Sequence, residues 1–538
     1  MKRLTFSLCF VLVAFALFAY PVHIQSWNLD EDIRTLNSMN ISVDSVNRKT
    51  GTIISYVRNQ EEHEKINAQG FNAITIPKAE EAESDSKDPT RAYYSLAQYQ
   101  TFMQDTAAQY PDICQLVQFG TSVQNRPLYF MKITDNVNIE ENEPELRYVS
   151  SIHGDEVVGY DMLIRLIQLL TTEYSTNPRI MNIVNNTEIW ICPMFNPDGY
   201  ASANRYNANG IDLNRNFPMP SGNQHPDGNA WAQETVAMMS FSQAHSNNLS
   251  LNFHGGELVI NYPWDYTYTL APDDALLQEM SLTYTRPHTS LWNSTDFVHG
   301  ITNGAAWYVI TGSMQDWLYG YTDCIDLTAE IGLNKWPSSS QLPNYWNMNK
   351  ESMLQYIEFA QNGVKGVVLN GSGAPLSATI TVAGNNKVMH TDPDVGDYHR
   401  LLLPGTYQIT ASVVGYEPQT VSVNVPTLGH TIQNFTFGSV STVDDVATPQ
   451  LSAKLLNNYP NPFNPETMLR FSVAKDNTPI SLSVYNLKGQ LLRTLVHAPT
   501  KAGEHSVLFN AADLSSGVYL CRLQSPDGIQ TKKLILNK

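Results

Sequence analysis

The spacing of apolar positions shifts repeatedly along this chain, and the shifts divide it into segments. Near the start, residues 53–57 predict a strand, 61–69 a helix ended by Gly70, and 73–76 another strand, which makes a small α/β unit. From Arg91 to about Gly363, strand-like runs alternate with helical ones, the signature of an α/β fold with a mixed β-sheet flanked by helices. Its candidate strands are residues 128–133, 147–152, 188–192 and 249–253. Residues 159–172 place Met162, Leu163, Leu166, Ile167 and Leu170 at helical spacing. Residues 364–437 change rhythm: short alternating runs punctuated by Gly371, Gly373, Gly384 and Pro404-Gly405 predict a small all-β sandwich. After a linker over 439–450, residues 451–538 predict a second all-β sandwich of about 80 residues, an ordinary size for a small domain.

The extremes of the chain and its composition narrow the setting. Lys2 and Arg3 precede an apolar run from Leu4 to Ala19, which is too short for a stable membrane span and predicts a signal peptide over residues 1–19. No later stretch is apolar and long enough to cross a bilayer, so a secreted or cell-surface protein without a transmembrane segment is expected. Residues 20–90 hold the small α/β unit and a charged stretch from Lys78 to Thr90, which reads either as a cleavable connection to a pro-domain-like segment or as a plain spacer. A formal net charge of -18 argues against a nucleic-acid partner, whose phosphates such a surface repels. Cys114, Cys192, Cys324 and Cys521 are too scattered to indicate a disulfide framework or a cysteine-rich zinc site.

Chemistry enters with His153-Gly154-Asp155-Glu156 and, about a hundred residues on, Asn252-Phe253-His254-Gly255-Gly256. Two imidazoles and a carboxylate suit a catalytic Zn²⁺, whose fourth position stays open for a water. Imidazole favours zinc over harder cations such as magnesium. Both histidines immediately follow predicted strands, where ligands gather beyond the carboxyl edge of an open α/β sheet. A lone histidine is ordinarily a satisfied core residue; the grouping, with glycines at Gly154 and Gly255-Gly256 permitting tight loops, favours the metal reading of His153, Glu156 and His254. Glu330 lies in a predicted strand heading into an apolar interior, where a carboxylate is costly without a role, so it is the candidate general base; a structural ion pair is the alternative.

Further motifs follow in order: Asn196-Pro197-Asp198-Gly199-Tyr200, Arg205, Asp212-Leu213-Asn214-Arg215-Asn216-Phe217, Asn261-Tyr262-Pro263-Trp264-Asp265, Asn303-Gly304-Ala305-Ala306-Trp307-Tyr308 and Met314-Gln315-Asp316-Trp317. The ordered set resembles the zinc metallocarboxypeptidase family, and the regulatory subfamily of carboxypeptidases N, E, M and D more than the digestive one. The resemblance implies a zinc carboxypeptidase fold over residues 91–363, a transthyretin-like module over 364–438, and hydrolysis of the last peptide bond of peptides or proteins. It implies that Arg205 stabilises the oxyanion, that Asn214 and Arg215 grip the terminal carboxylate, and that Tyr308 closes over the substrate. Asp265 and Gln315 take the positions of a pocket selecting Lys or Arg. Asp155, within the metal motif, departs from the family pattern and bears on pocket charge. Plainer readings remain for each: a solvated Arg205, a packing Tyr308, a water-facing Asp265. The residues after 451, opening Tyr459-Pro460-Asn461-Pro462-Phe463, are similar to type IX secretion sorting domains, which implies recognition by secretion machinery. A peptidase of cell-wall stem peptides and a catalytically inactive binding module are the competing readings.

Overall fold

The computed structural model describes residues 19–77, 93–438 and most of 453–536, in two compact units over residues 1–439 and 440–538. The signal-peptide reading up to residue 18, the charged stretch, the 439–450 linker, and Tyr459, Pro460 and Pro462 of the sorting motif lie outside the described residues.

The first unit begins with β1 (Tyr20–Gln25), a helix over Leu29–Ser38, β2 (Ser42–Asn47), β3 (Thr52–Val57), a helix over Gln60–Ala68 and β4 (Ala73–Thr75), in the sheet order β2-β3-β1-β4. The second helix starts where the Asn59 side chain accepts from the Glu62 amide. Val22, Ile24, Ile33, Leu36 and Val43 pack in one cluster with Trp307, Tyr308 and Ile310, so this small module shares its core with the domain that follows. The β2–β3 register shifts between Val43 and Ser45, a bulge that takes Asp44 out of the ladder.

The central domain is built on β5 (Cys114–Thr121), β6 (Pro127–Ile133), β7 (Glu145–Ser150), β8 (Glu188–Cys192), β9 (Leu249–His254), β10 (Leu258–Tyr262), β11 (Ile301–Asn303) and β12 (Ile325–Ile331). Their order is β11-β10-β12-β9-β7-β8-β6-β5. The middle strands β12, β9, β7 and β8 run parallel to one another, and β5/β6, β6/β8 and β10/β12 are antiparallel, giving the expected mixed sheet. Every residue of β7, β8, β9 and β12 is buried, polar ones included, because helices cover both faces of the sheet. The helices Val158–Glu173 and Leu342–Phe359 contribute to one core, and Gln233–Ala244 and Met314–Tyr321 to the other.

Residues 363–437 form two facing β-sheets around Val364, Ile380, Ile409 and Phe435, as the alternating pattern predicts. A buried Arg400–Asp273 ion pair of 2.6 Å ties this sandwich to the central domain. The second unit is a two-sheet β-structure around Leu469, Leu482, Phe509 and Leu523. The four cysteines of the described residues are buried and unpaired, and no helix among these residues is long and apolar enough to cross a membrane.

Candidate active site

Strand register assembles the site. β7, β9 and β12 are adjacent and parallel, so their carboxyl ends meet at one edge of the sheet. His254 is the last residue of β9, and Glu330 of β12 lies directly opposite it in the ladder. β7 ends at Ser150, earlier than the predicted residue 152, because Ser151 turns left-handed with φ 55°; His153 and Glu156 therefore sit in the loop beyond it rather than at the strand end. Gly154 is required there: a Cβ on it would stand 2.0 Å from the Gly199 carbonyl carbon.

Three groups of His, Asp or Glu side chains among the described residues bring possible ligand atoms within 4.8 Å of one another, and only His153, Glu156 and His254 include imidazoles. His153 Nδ1 lies 3.0 Å from Glu156 Oε1 and 3.1 Å from His254 Nδ1, and His254 Nδ1 lies 2.9 Å from Glu156 Oε2. A tetrahedral zinc with bonds of about 2.0–2.1 Å separates its ligands by about 3.3 Å, so the donor set fits that ion. The ring of His153 is held from behind by Asp212 Oδ1, 3.1 Å from Nε2, the carboxylate support that metal-binding histidines commonly have. Burial would raise the Glu156 carboxyl, but the charges of His153, Lys335 and His254 hold it well below the usual carboxylate range.

Glu330 differs from Glu156 and Asp212, the lowered carboxylates at the same sheet edge. Burial first, then the charges of Glu156 and Asp44, push it well above its ordinary value. Its Oε2 is buried and has no hydrogen-bond partner, and no ion pair holds the carboxylate, among the described residues. A buried, unpartnered carboxyl beside a metal site can take and return a proton.

Arg205 is buried, not solvated. Its Nε donates to Asp212 Oδ2 at 3.0 Å, and one terminal nitrogen lies 3.6 Å from Glu156 Oε1. Arg215 donates to the Asn214 carbonyl at 2.9 Å, while its buried Nε has no partner. Asn214 is fixed by its amide donating to Asp212 Oδ1 and by its side-chain oxygen accepting from the Met314 amide, each at 3.0 Å. Tyr308, after the short helix Gly304–Trp307, turns its hydroxyl to the same cleft.

Asp265 is 2% exposed and does not face water. Gln315 Nε2 donates to Asp265 Oδ1 at 3.1 Å and to Asn261 Oδ1 at 2.9 Å, leaving the Gln315 Oε1 buried and unpartnered. Gly304 makes room for this group, since a Cβ there would meet Asp265 Oδ1 at 2.0 Å. Asp316, unassigned by the sequence reading, accepts the Asp265 and Tyr266 amides and so shapes the loop. Burial raises both carboxyls, and the Asp265 charge adds to the rise at Asp316. Asp155 Oδ2 accepts the Tyr56 hydroxyl of the N-terminal module at 2.7 Å, so the side chain engages that module.

Sequence reasoning passed over three further participants. Asp212 entered only as the first residue of a motif, although the rule that a ligating histidine needs a second partner points to it. Lys335, 2.9 Å from Glu156 Oε1, and Asp44, 2.6 Å from both Lys335 Nζ and Arg205, carry no motif.

Comparison with known proteins agrees with this layout. Residues 99–352 match the family described as zinc carboxypeptidase, 363–438 the carboxypeptidase regulatory-like domain, and 457–537 the secretion system C-terminal sorting domain. The chain is 39% identical over 403 residues to carboxypeptidase D of Homo sapiens, covering 69% of this chain and 29% of that protein. It thus spans under a third of the length of that relative. It is 38% identical over 374 residues to the carboxypeptidase N catalytic chain of Mus musculus, covering 61% of this chain and 82% of the relative. The crystal structure of carboxypeptidase A from Helicoverpa armigera shares the fold at a TM-score of 0.53 and 16% identity, over 63% of this chain and 97% of that one.

Proposed function

From the premise that this chain belongs to the zinc carboxypeptidase family, we propose that it is an exported enzyme that removes the C-terminal residue from peptides or proteins, with Lys or Arg preferred. The observation that carries the reading is the convergence, at one sheet edge, of a zinc-type donor set, an unpartnered buried carboxyl and an arginine with a free buried N–H. Zinc held by His153, Glu156 and His254 would supply a Lewis acid that acidifies water and polarises a carbonyl.

The chain's own groups do the rest. Glu330 takes the proton of the attacking water and delivers it to the departing amine. Arg205, kept cationic by Asp212 and Asp44 despite burial, faces the oxygen on which charge develops. Arg215 and Asn214 receive the substrate's terminal carboxylate, which an internal residue lacks, and this restricts cleavage to chain ends. Tyr308 donates its hydroxyl over the bound residue. Asp265 and the unpartnered Gln315 Oε1 offer acceptors to a cationic side chain, whereas an apolar one would leave them unsatisfied. Residues 364–438 are read as a transthyretin-like module, the apolar run after Lys2-Arg3 as an export signal, and the C-terminal unit as the address for type IX secretion machinery.

The test is hydrolysis of short peptides ending in Lys, Arg, Phe or D-Ala, before and after chelation and zinc return. Chelator-reversible release of Lys and Arg ahead of Phe supports the proposal. Release of D-Ala alone points to cell-wall stem peptides. A zinc-replete, folded protein that releases nothing sinks the enzymatic reading.

A further inference from the structure

The pocket end of the cleft is held from behind, and the hold comes from the β-sandwich. The helix Met314–Tyr321 opens with Gln315, which donates to the Asp265 carboxylate, and Asp316, which accepts the Asp265 amide. At the far end of that helix lies Lys387, from the hairpin loop between the strands Ala378–Val382 and Met389–His390. Its ammonium donates to the Tyr319 and Thr322 carbonyls, each at 2.6 Å, and stands 4.6 Å from the centre of the Tyr319 ring. Lys387 is 7% exposed, and these partners are two carbonyls and a ring face, not a carboxylate. Burial brings its pKa down to about 8, so a charge in this place is costly. The last turn of a helix offsets that cost, because its unsatisfied carbonyls and its macrodipole both favour a cation.

The contact continues into the pocket. The Tyr319 hydroxyl donates to Asp273 Oδ2 at 2.9 Å and accepts from the Asp273 amide at 3.3 Å. Asp273 Oδ1 accepts from Arg400 and Asn385 of the sandwich, each at 2.6 Å. The Tyr319 ring meets the Trp264 ring edge-on at 4.8 Å, and Trp264 is the residue before Asp265. The loop 265–273 is thus pinned at both ends, by Asp316 at the Asp265 and Tyr266 amides and by Tyr319, Arg400 and Asn385 at Asp273. Between the pins Tyr268 and Leu270 are exposed, so the place of the loop depends on its ends. A helix of eight residues is about 12 Å long and moves as one rod. A shift where Lys387 grips its last turn therefore moves Gln315 and Asp316 in its first.

We propose that Lys387 is a positioning residue of the specificity pocket: by gripping the C-terminus of this helix, it lets the β-sandwich set where Asp265 and Gln315 stand for a cationic side chain. The inference rests on the reading of those two residues as the pocket for Lys or Arg. Lys387 touches neither the zinc-type donor set nor Glu330, so it acts on selection and not on the chemical step. The sandwich thereby takes part in choosing which residue is released.

The test compares the full, zinc-loaded chain as wild type, Lys387→Met and Lys387→Gln. The methionine keeps much of the stem without charge or donor, and the glutamine keeps a donor without charge. Nα-acylated peptides ending in Arg and in Phe are hydrolysed in parallel, and hydrogen exchange read by mass spectrometry follows residues 264–273 and 314–322. In Lys387→Met, KM for the Arg peptide should rise about three- to tenfold with kcat within about twofold and the Phe peptide unaffected. Both segments should exchange faster while those around His153 and His254 do not, and Lys387→Gln should fall between the two proteins. Given a wild type that prefers Arg, faster exchange with an unchanged Arg-to-Phe ratio makes Lys387 a structural anchor only and overturns the proposal. A changed ratio without faster exchange overturns it too, as does no change in either. A wild type that releases Arg and Phe equally, or releases neither, sinks the pocket or the hydrolase reading instead, and exchange alone then decides the positioning. Should Lys387→Met fail to fold, Lys387→Gln decides by the same measures.

Discussion

The two ends of the cleft are built on opposite electrostatic plans. At the metal end, charges alternate: Glu156 and Asp212 lie among His153, Arg205 and Lys335, and both carboxyls are held well below their usual range although burial opposes it. Most groups there have a second partner that fixes their direction, Asp212 alone touching His153, Arg205, Ser42 and the Asn214 amide. At the pocket end, Asp265 and Asp316 are buried together, both raised, with the Arg215 charge as a minor relief at Asp265. A balanced cluster holds its own geometry; an unbalanced one is completed by what it binds. On the proposed function, the metal end serves the chemistry and the pocket end waits for a cation that the substrate supplies.

The largest effect should come from the one metal-end carboxyl left without a partner. Glu330→Gln keeps size and shape but cannot take a proton, and kcat should fall by up to about 10⁴-fold. Zinc content, measured by atomic absorption, should be unchanged because Glu330 is not among the donor set. Retained turnover would remove Glu330 from the mechanism; lost zinc would show that it supports the metal instead.

Arg215→Ala lies between the ends. Removing a buried charged anchor costs about 2–5 kcal/mol, so kcat/KM for a peptide with a free C-terminus should drop about 30- to 5,000-fold. The same peptide with an amidated C-terminus lacks the anion and should be cleaved poorly by wild type and no worse by the variant. A variant that lost equally on both substrates would show that Arg215 only supports the fold.

How much of this was legible beforehand depends on the reach of each feature. β8 appears over Glu188–Cys192 as predicted, since an apolar run buried on both faces needs no distant information. The helix over Val158–Glu173 exceeds its predicted span by one residue at each end. His153, Glu156 and His254 were readable because ligand chemistry narrows the residue types that such a site accepts. Lys335, Asp44 and Asp316 were not. Lys335 and Asp44 act through contacts 291 residues apart in sequence, and Asp44 enters only through a one-residue bulge that no periodicity announces. The contact of Asp155 with Tyr56 was hidden for the same reason, the two lying 99 residues apart.

A smaller effect distinguishes the pocket end alone. Asp265→Asn keeps the contact with Gln315 but removes the charge that a Lys or Arg side chain would meet. The ratio of kcat/KM for peptides ending in Arg over those ending in Phe should fall about 10- to 100-fold, mostly through the Arg substrate. An unchanged ratio would place selectivity elsewhere in the cleft.

The smallest effect follows from protons rather than mutations. Because burial raises Asp265 above the ordinary aspartate value of 3.8, and Asp316 shares that burial, the pocket begins to take up a proton at a higher pH than an exposed aspartate. The ionised form, which favours a cationic side chain, is present above the raised pKa and is lost as pH falls through it. Acid also slows the metal end, but that loss is common to both substrates and cancels in the Arg-to-Phe ratio. Followed downward from about pH 7.5, the ratio should therefore decline, and the decline should begin at a higher pH than an ordinary aspartate would give. In Asp265→Asn the decline should vanish, since the titrating group facing the substrate is gone. A flat ratio in wild type would mean that Asp265 is ionised across this range, with its charge balanced inside the protein, and the contrast between the two ends would then be one of shape and not of charge.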